Sequence, residues 1–344
     1  MKSRAEWMSG RYGLMVHYLP PMMEGRDGEL AAEVNAAAEA FDPERFLADF
    51  DRTGADYLIF TLGQNTGMYN CPNPVIEAYA GPGHCPRRDL PMELAEALHR
   101  RGKHLIAYLP VELHCNFTMQ QGFGWIPIED MTEAGKARQV LFQQRWCEVI
   151  RYWSIHYGKL LSGWWLDGCG WLDIDHPRWL SAMRAGNPET AVSFSYAEWL
   201  YKETAPRIPS DDYFSGEVFM LRDGLPRLAD GPGFRPSSGR VPGTDGMIQH
   251  ALVPIDAHWW HGGSADWCSY DGKRFVDPAR LKVGEMEPPM YTDAELSTLF
   301  DAFPGQGGAL TLNAGIFLDG SLGEATVAQL ERLSRQFSPS NCML

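Results

Sequence analysis

Ser162-Gly163-Trp164-Trp165-Leu166-Asp167-Gly168 decides the reading of this chain. A short, continuously apolar run has the pattern of a strand buried on both faces, as in a parallel sheet covered by helices on each side. Asp167 stands at its last position, where strand gives way to loop. In a (β/α)8 barrel the C-terminal ends of the strands form the catalytic rim. A carboxylate there, beside two indoles, has the makings of a nucleophile for sugar cleavage. A lone Asp-Gly more often marks a turn or a helix cap, so the rest of the chain carries the weight.

Upstream, Tyr12-Gly13-Leu14-Met15-Val16-His17-Tyr18 reads as a first buried strand ending in a histidine. Asp42-Pro43 opens a helix that Gly54 stops, with a cap residue and a proline where a helix start favours them. Tyr57-Leu58-Ile59-Phe60-Thr61-Leu62 is a second strand, running into Gly63-Gln64-Asn65-Thr66-Gly67. A polar loop with Pro72, Pro74, Pro82 and Pro86 precedes a helix over Pro91 to Leu98, and His104 to Leu109 is a third strand. A loop holding His114, Phe123 and Trp125 leads to one long helix over 132–157 and then to the Asp167 strand. The order is β-α-β-α-β-α-β with connections too long for hairpins, which means parallel strands and crossover helices.

Downstream, the pattern predicts a helix from Pro177 to Ala185 and a fifth strand over 191–195. A sixth strand is predicted over 212–217, a surface loop over 222–250, a seventh strand over 256–260 and the eighth over 308–313. Helices are predicted over 293–303 and 324–336. Eight strands in 344 residues predict an α/β protein, a single (β/α)8 TIM-like barrel forming one domain over 1–344. A doubly wound open sheet is the alternative. It calls for a glycine-rich phosphate turn after its first strand, and His17-Tyr18-Leu19-Pro20 is not one.

A formal charge of −14 argues against nucleic acid or an anionic membrane as partner. No run of 18 apolar residues exists to form a spanning helix. The 12 Trp, 13 Tyr and 16 Phe lean towards carbohydrate, since aromatic faces stack on sugar rings, although cores use such residues more often. Seven scattered cysteines show no paired metal spacing, so free thiols in a reducing compartment are expected. With no apolar leader visible after Met1, the expected location is cytoplasmic. No His-x-His or HExxH spacing occurs, and His258 and His261 fall in strand and loop, so no metal is expected.

Several segments, in order, resemble the catalytic domain of the α-L-fucosidases, glycoside hydrolase family 29. Gly13 to Tyr18 resembles that family's opening strand, which ends in His-Trp. Phe41-Asp42, Phe46 and Gly54-Ala55-Asp56-Tyr57 resemble its first helix and second strand. Arg87-Arg88-Asp89-Leu90 resembles its Lys-Arg-Asp-Leu, and Tyr108-Leu109-Pro110 stands where it writes Tyr-Tyr-Ser. Trp165-Leu166-Asp167-Gly168 resembles Trp-Phe-Asp-Gly, whose Asp is the nucleophile. Gly307 to Gly315, followed by Asp319-Gly320, resembles the closing Gly-Gly-Asn-Leu-Leu-Leu-Asn-x-Gly-Pro…Asp-Gly. The family's Lys-His-His-Asp-Gly-Phe after strand two is replaced by Leu62-Gly63-Gln64-Asn65-Thr66-Gly67, and its C-terminal β-sandwich has no counterpart in the sequence.

The resemblance implies a retaining exo-glycosidase acting on an α-linked L-fucoside or a sugar of related stereochemistry. Its partner is a carbohydrate substrate and it needs no cofactor. Such an enzyme holds two carboxyls about 5–5.5 Å apart. Asp167 is the implied nucleophile. Glu217, in a segment similar to the family's Asp-Phe-x-Thr-Pro-Glu, is the acid/base candidate, with Asp256 and Glu198 in reserve. His17 is expected to bind a sugar hydroxyl, with Gln64 and Asn65 in place of the family's His pair. Tyr108 and Trp165 are expected to line the pocket, with His114, Trp125, His258, Trp259 and Trp260 on its leaving-group side. The alternatives are a glycosidase for a different sugar and a non-catalytic sugar-binding barrel.

Overall fold

The computed structural model describes residues 3–19, 30–113, 116–126, 132–196, 211–218, 221–226, 233–256, 286 and 288–337. Strand and helix alternate from the start. β1 (Arg11–Val16) is followed by α1 (Leu30–Ala40) and α2 (Pro43–Thr53), and β2 (Tyr57–Thr61) by α3 (Pro74–Ala80) and α4 (Leu90–Arg100). β3 (His104–Pro110) leads to α5 (Phe117–Phe123), α6 (Glu133–Arg138) and α7 (Val140–Tyr157). β4 (Leu161–Asp167), α8 (His176–Met183) and β5 (Ala191–Phe194) come next. A small hairpin, β6 (Leu221–Arg222) and β7 (Leu225–Pro226), precedes β8 (His250–Pro254), α9 (Asp293–Ala302), β9 (Ala309–Asn313) and α10 (Glu324–Phe337).

Seven strands form one sheet in the order β5-β4-β3-β2-β1-β9-β8. The ladders β1–β9, β8–β9, β3–β4 and β4–β5 are all parallel. β2, β5, β8 and β9 are buried at every position, so apolar side chains stand on both of their faces, with polar Thr61, Ser193, His250, Thr311 and Asn313 enclosed among them. The protein is therefore an α/β protein with a parallel sheet, in the strand order that a TIM-like barrel lays down. The chain falls into two compact units, Met1–Tyr18, Phe41–Ile59 and Glu198–Leu344 in one, Leu19–Ala40 and Phe60–Ala197 in the other.

In the first unit, α2 starts where the sequence says. The Asp42 carboxylate accepts the N–H groups of Glu44 and Arg45 at 3.0 and 3.1 Å, Pro43 occupies the first turn, and Gly54 ends it at φ 75°. α2 packs against α10. Gly13 is needed for close approach: a Cβ there would lie 2.3 Å from the Tyr57 ring, whose hydroxyl donates to the Leu310 carbonyl at 2.7 Å. The sixth expected strand is present in irregular form. Tyr213 and Glu217 make isolated parallel bridges to Ile248 and Leu252, and Gly216, at φ 66°, breaks the extended run between them. The seventh strand is displaced from 256–260 to His250–Pro254, which meets the segment expected as loop over 222–250 only at His250; 257–260 lie outside the described residues.

In the second unit, the helix expected over 132–157 is two helices. Gln139 donates its N–H to Lys136 O at 3.1 Å, a tight turn that closes α6 and opens α7. α3 and α5 arise in stretches expected as loops, each capped by an asparagine, Asn73 or Asn116, whose side chain accepts backbone N–H groups of the first turn. α7 packs on α8 and buries Trp146 and Trp153. The β3–β4 ladder carries a bulge: Leu105 pairs with Leu161 but Ile106 with Gly163, so Ser162 is the extra residue. Beyond it Tyr108 pairs with Trp165 and Pro110 with Asp167. Trp164 turns to α8, donating its indole N–H to the Met183 carbonyl at 3.1 Å, while Trp165 stacks on Tyr108 at 5.5 Å and 17°.

Candidate functional site

The second unit gathers four of the sequence-expected residues around Asp167. β4 delivers the carboxylate at its last position, and the register sets β3 beside it. Its Oδ1 accepts the Gly168 N–H at 2.8 Å, and its Oδ2 accepts the Tyr108 hydroxyl at 2.5 Å. Tyr108 and Trp165 are each 1% exposed, so both form the wall behind the carboxylate. Gln64, at the turn after β2, donates from Nε2 to the Tyr108 hydroxyl oxygen at 2.6 Å. Asn65 is partly exposed at the same turn and gives its backbone N–H to Gln64 Oε1 at 2.8 Å.

Gly168 is favoured by its left-handed backbone, and it lies close to the flexible end of one side chain. Its φ is 69°, and a Cβ would stand 2.9 Å from the Glu112 Cδ. That close approach brings a second carboxyl, the buried Glu112, to the residue next to the part-buried Asp167. Sequence reasoning passed over Glu112. The signal was there: Asp167 is the last residue of its strand, and Glu112 is likewise an acid at the C-terminal end of an apolar strand, two residues after Pro110.

The first unit holds His17, Glu217 and Asp256. His17 lies just past β1, 1% exposed, with Nδ1 2.9 Å from Asn313 Oδ1 at the end of β9. An amide oxygen only accepts, so Nδ1 carries the proton and Nε2 is the acceptor nitrogen. Burial pushes the His17 pKa down to about 3 against the opposing Asn313 bond, so the ring is neutral. Asn313 is a second residue that the sequence reading did not name as part of the site. Glu217 is 7% exposed, held beside β8 by its bridge to Leu252.

Asp256 is fully buried and committed to the fold. Gly315 N–H donates to its Oδ2 at 2.9 Å and the Thr326 hydroxyl to its Oδ1 at 2.5 Å. Burial raises its pKa to about 6 against those two bonds. Trp125 is 5% exposed and packs edge-on against Phe142 at 4.8 Å. His114, Glu198, His258, Trp259 and Trp260 lie outside the described residues. Among the described residues no group of three or more His, Cys, Asp or Glu could hold a metal ion, and no helix is long and apolar enough to cross a membrane.

No protein-family model matches this sequence, and no curated protein matches it. Solved structures do match the fold. The endo-fucoidan hydrolase P5AFcnA from glycoside hydrolase family 107 superposes with a TM-score of 0.66 at 13% identity, over 98% of this chain and 94% of that one. The endo-fucoidan hydrolase MfFcnA4 of the same family gives 0.66 at 16% identity over 97% of this chain, which spans 53% of that protein. The α-L-fucosidase isoenzyme 1 from Paenibacillus thiaminolyticus gives 0.58 at 14% identity, over 97% of this chain and 75% of that one. At these identities the likeness is one of fold.

Proposed function

We propose that this chain is a glycoside hydrolase acting on a fucose-type glycoside by double displacement, built as a single catalytic domain over 1–344. The observation that carries this reading is the placement of Asp167. It ends a buried parallel strand against two aromatic rings, with each oxygen held by a donor. The shared fold with fucoidan hydrolases and an α-L-fucosidase supports the same reading. A closed eight-stranded barrel completes it, supported by the seven-strand order and by the irregular 212–218 segment running beside β8.

In this reading Asp167 attacks the anomeric carbon while the acid, Glu217, gives its proton to the departing oxygen. The carbon–oxygen bond to the leaving group breaks as the ester to Asp167 forms. Water, deprotonated by the same glutamate, then displaces Asp167 with net retention. His17 takes a substrate hydroxyl on its acceptor nitrogen.

The test is hydrolysis of aryl glycosides (α-L-fucoside, α- and β-galactosides, α-L-arabinoside, β-xyloside) by wild type and Asp167→Asn. Turnover of one member that falls by orders of magnitude in the variant is the expected result. Turnover that survives moves the nucleophile elsewhere, and sugar binding without turnover marks a binding protein. A second reading, internal cleavage of fucoidan itself, is favoured by P5AFcnA, whose length this chain nearly matches. Shortening of fucoidan chains without release of monosaccharide distinguishes it from the exo reading.

A further inference from the structure

Gln64 was expected to grip a sugar hydroxyl. Its hydrogen bonds assign it elsewhere. Its Oε1 faces the Asn65 backbone N–H at 2.8 Å, and a backbone N–H can only donate. The opposite amide orientation would set donor against donor, so the side chain is fixed with Nε2 towards Tyr108. Nε2 also only donates, at 2.6 Å, and the Tyr108 oxygen must therefore accept. A phenol has one proton. With its oxygen already accepting from Gln64, that proton lies on the 2.5 Å contact to Asp167 Oδ2, where a carboxylate accepts it. Gln64 is 5% exposed and Tyr108 1%, so water does not compete readily for either bond.

We propose that Gln64 is a positioning residue of this site, acting through Tyr108. Asn65 sets the amide, the amide sets the phenol, and the phenol holds one oxygen of Asp167. The direction of every bond follows from one backbone N–H. The proposal rests on the reading of Asp167 as nucleophile for its catalytic meaning; the directed chain of bonds stands on its own geometry.

Gln64→Glu keeps the shape and removes the donor. As a carboxylate the new side chain can only accept, so the Tyr108 proton turns towards it and away from Asp167. The expected result is a fall in kcat of roughly 10- to 100-fold with KM unchanged, the scale of losing one hydrogen bond to a charged group. Tyr108→Phe falls by a similar factor, and adding Gln64→Glu to it produces no further loss. The deficit of Gln64→Glu shrinks as pH falls, because a protonated carboxyl can again donate to the phenol.

A readout that needs no turnover is the 13C resonance of the Asp167 carboxyl, identified by its loss in Asp167→Asn. It moves in both Tyr108→Phe and Gln64→Glu. A moved resonance without hydrolysis in any protein would support the relay and remove the glycosidase reading. An unmoved resonance in Gln64→Glu overturns the relay. So does a loss that appears in KM and adds to that of Tyr108→Phe, which is the behaviour of a direct sugar ligand.

Discussion

Asp256→Asn should make the protein more stable at neutral pH, and by an amount that depends on pH. Asp256 is wholly enclosed, and its pKa rises from the ordinary 3.8 to about 6, chiefly because burial disfavours the charge. Below about pH 4 the carboxyl is neutral in both the folded and the unfolded chain and contributes nothing. Between about pH 4 and about pH 6 the folded state holds the proton more tightly, so stability falls as pH rises. Above that range the folded chain carries a buried charge, destabilising it by about 3 kcal/mol, since each pKa unit is worth about 1.4 kcal/mol.

Asparagine avoids this and keeps both partners. Its oxygen accepts the Gly315 N–H, and its amide donates to the Thr326 hydroxyl oxygen, which can accept as well as donate. Urea unfolding of wild type and variant in parallel, at intervals from about pH 4 to about pH 8, checks it. The expected difference is small at the acid end and grows to about 3 kcal/mol in the variant's favour near neutrality. A difference that stays flat across that range refutes the argument from burial.

Gly216→Ala should destabilise the first unit by about 1–3 kcal/mol for the left-handed backbone alone. The added Cβ would also meet the His250 carbonyl oxygen at 2.2 Å, so the urea midpoint should fall further than that conformational term alone gives. His17→Gln should weaken turnover or substrate binding without moving either limb of the pH–rate profile above pH 5 or so, because the His17 pKa of about 3 leaves it neutral there. A displaced limb in that variant would show that His17 titrates in the working range.

Much of the sheet was legible because strands buried on both faces write themselves as unbroken apolar runs. Tyr57 to Phe60 and Gly163 to Leu166 did so, and Ala309 to Leu312 did so but for Thr311. His250–Pro254 was harder: it is short, opens with a buried histidine and ends in a proline, which argues against a strand in sequence. The helices α3 and α5 were passed over as loops although Asn73-Pro74 and Asn116 are cap signals, because each helix has only seven residues and shows too little periodicity. At the site, strand ends were readable and hydrogen-bond direction was not. That Tyr108 faces Asp167 depends on which residues of two strands stand abreast, and no single strand's sequence contains that.

The extra residue at Ser162 has a consequence for how such a chain tolerates insertion and deletion. Side chains on a strand alternate between its two faces, so a one-residue slip exchanges them all. Were Ser162 to pair with Ile106 instead of bulging, every later residue would slip by one: Trp164 would take the place of Trp165 opposite Tyr108, and Asp167 would pass beyond Pro110 onto the other face. Every residue of the site would still be present in the polypeptide. The bulge is thus a phase setting: deletion of Ser162 leaves the later pairs as they are, whereas one more residue drawn into the ladder would carry an intact motif in the wrong direction.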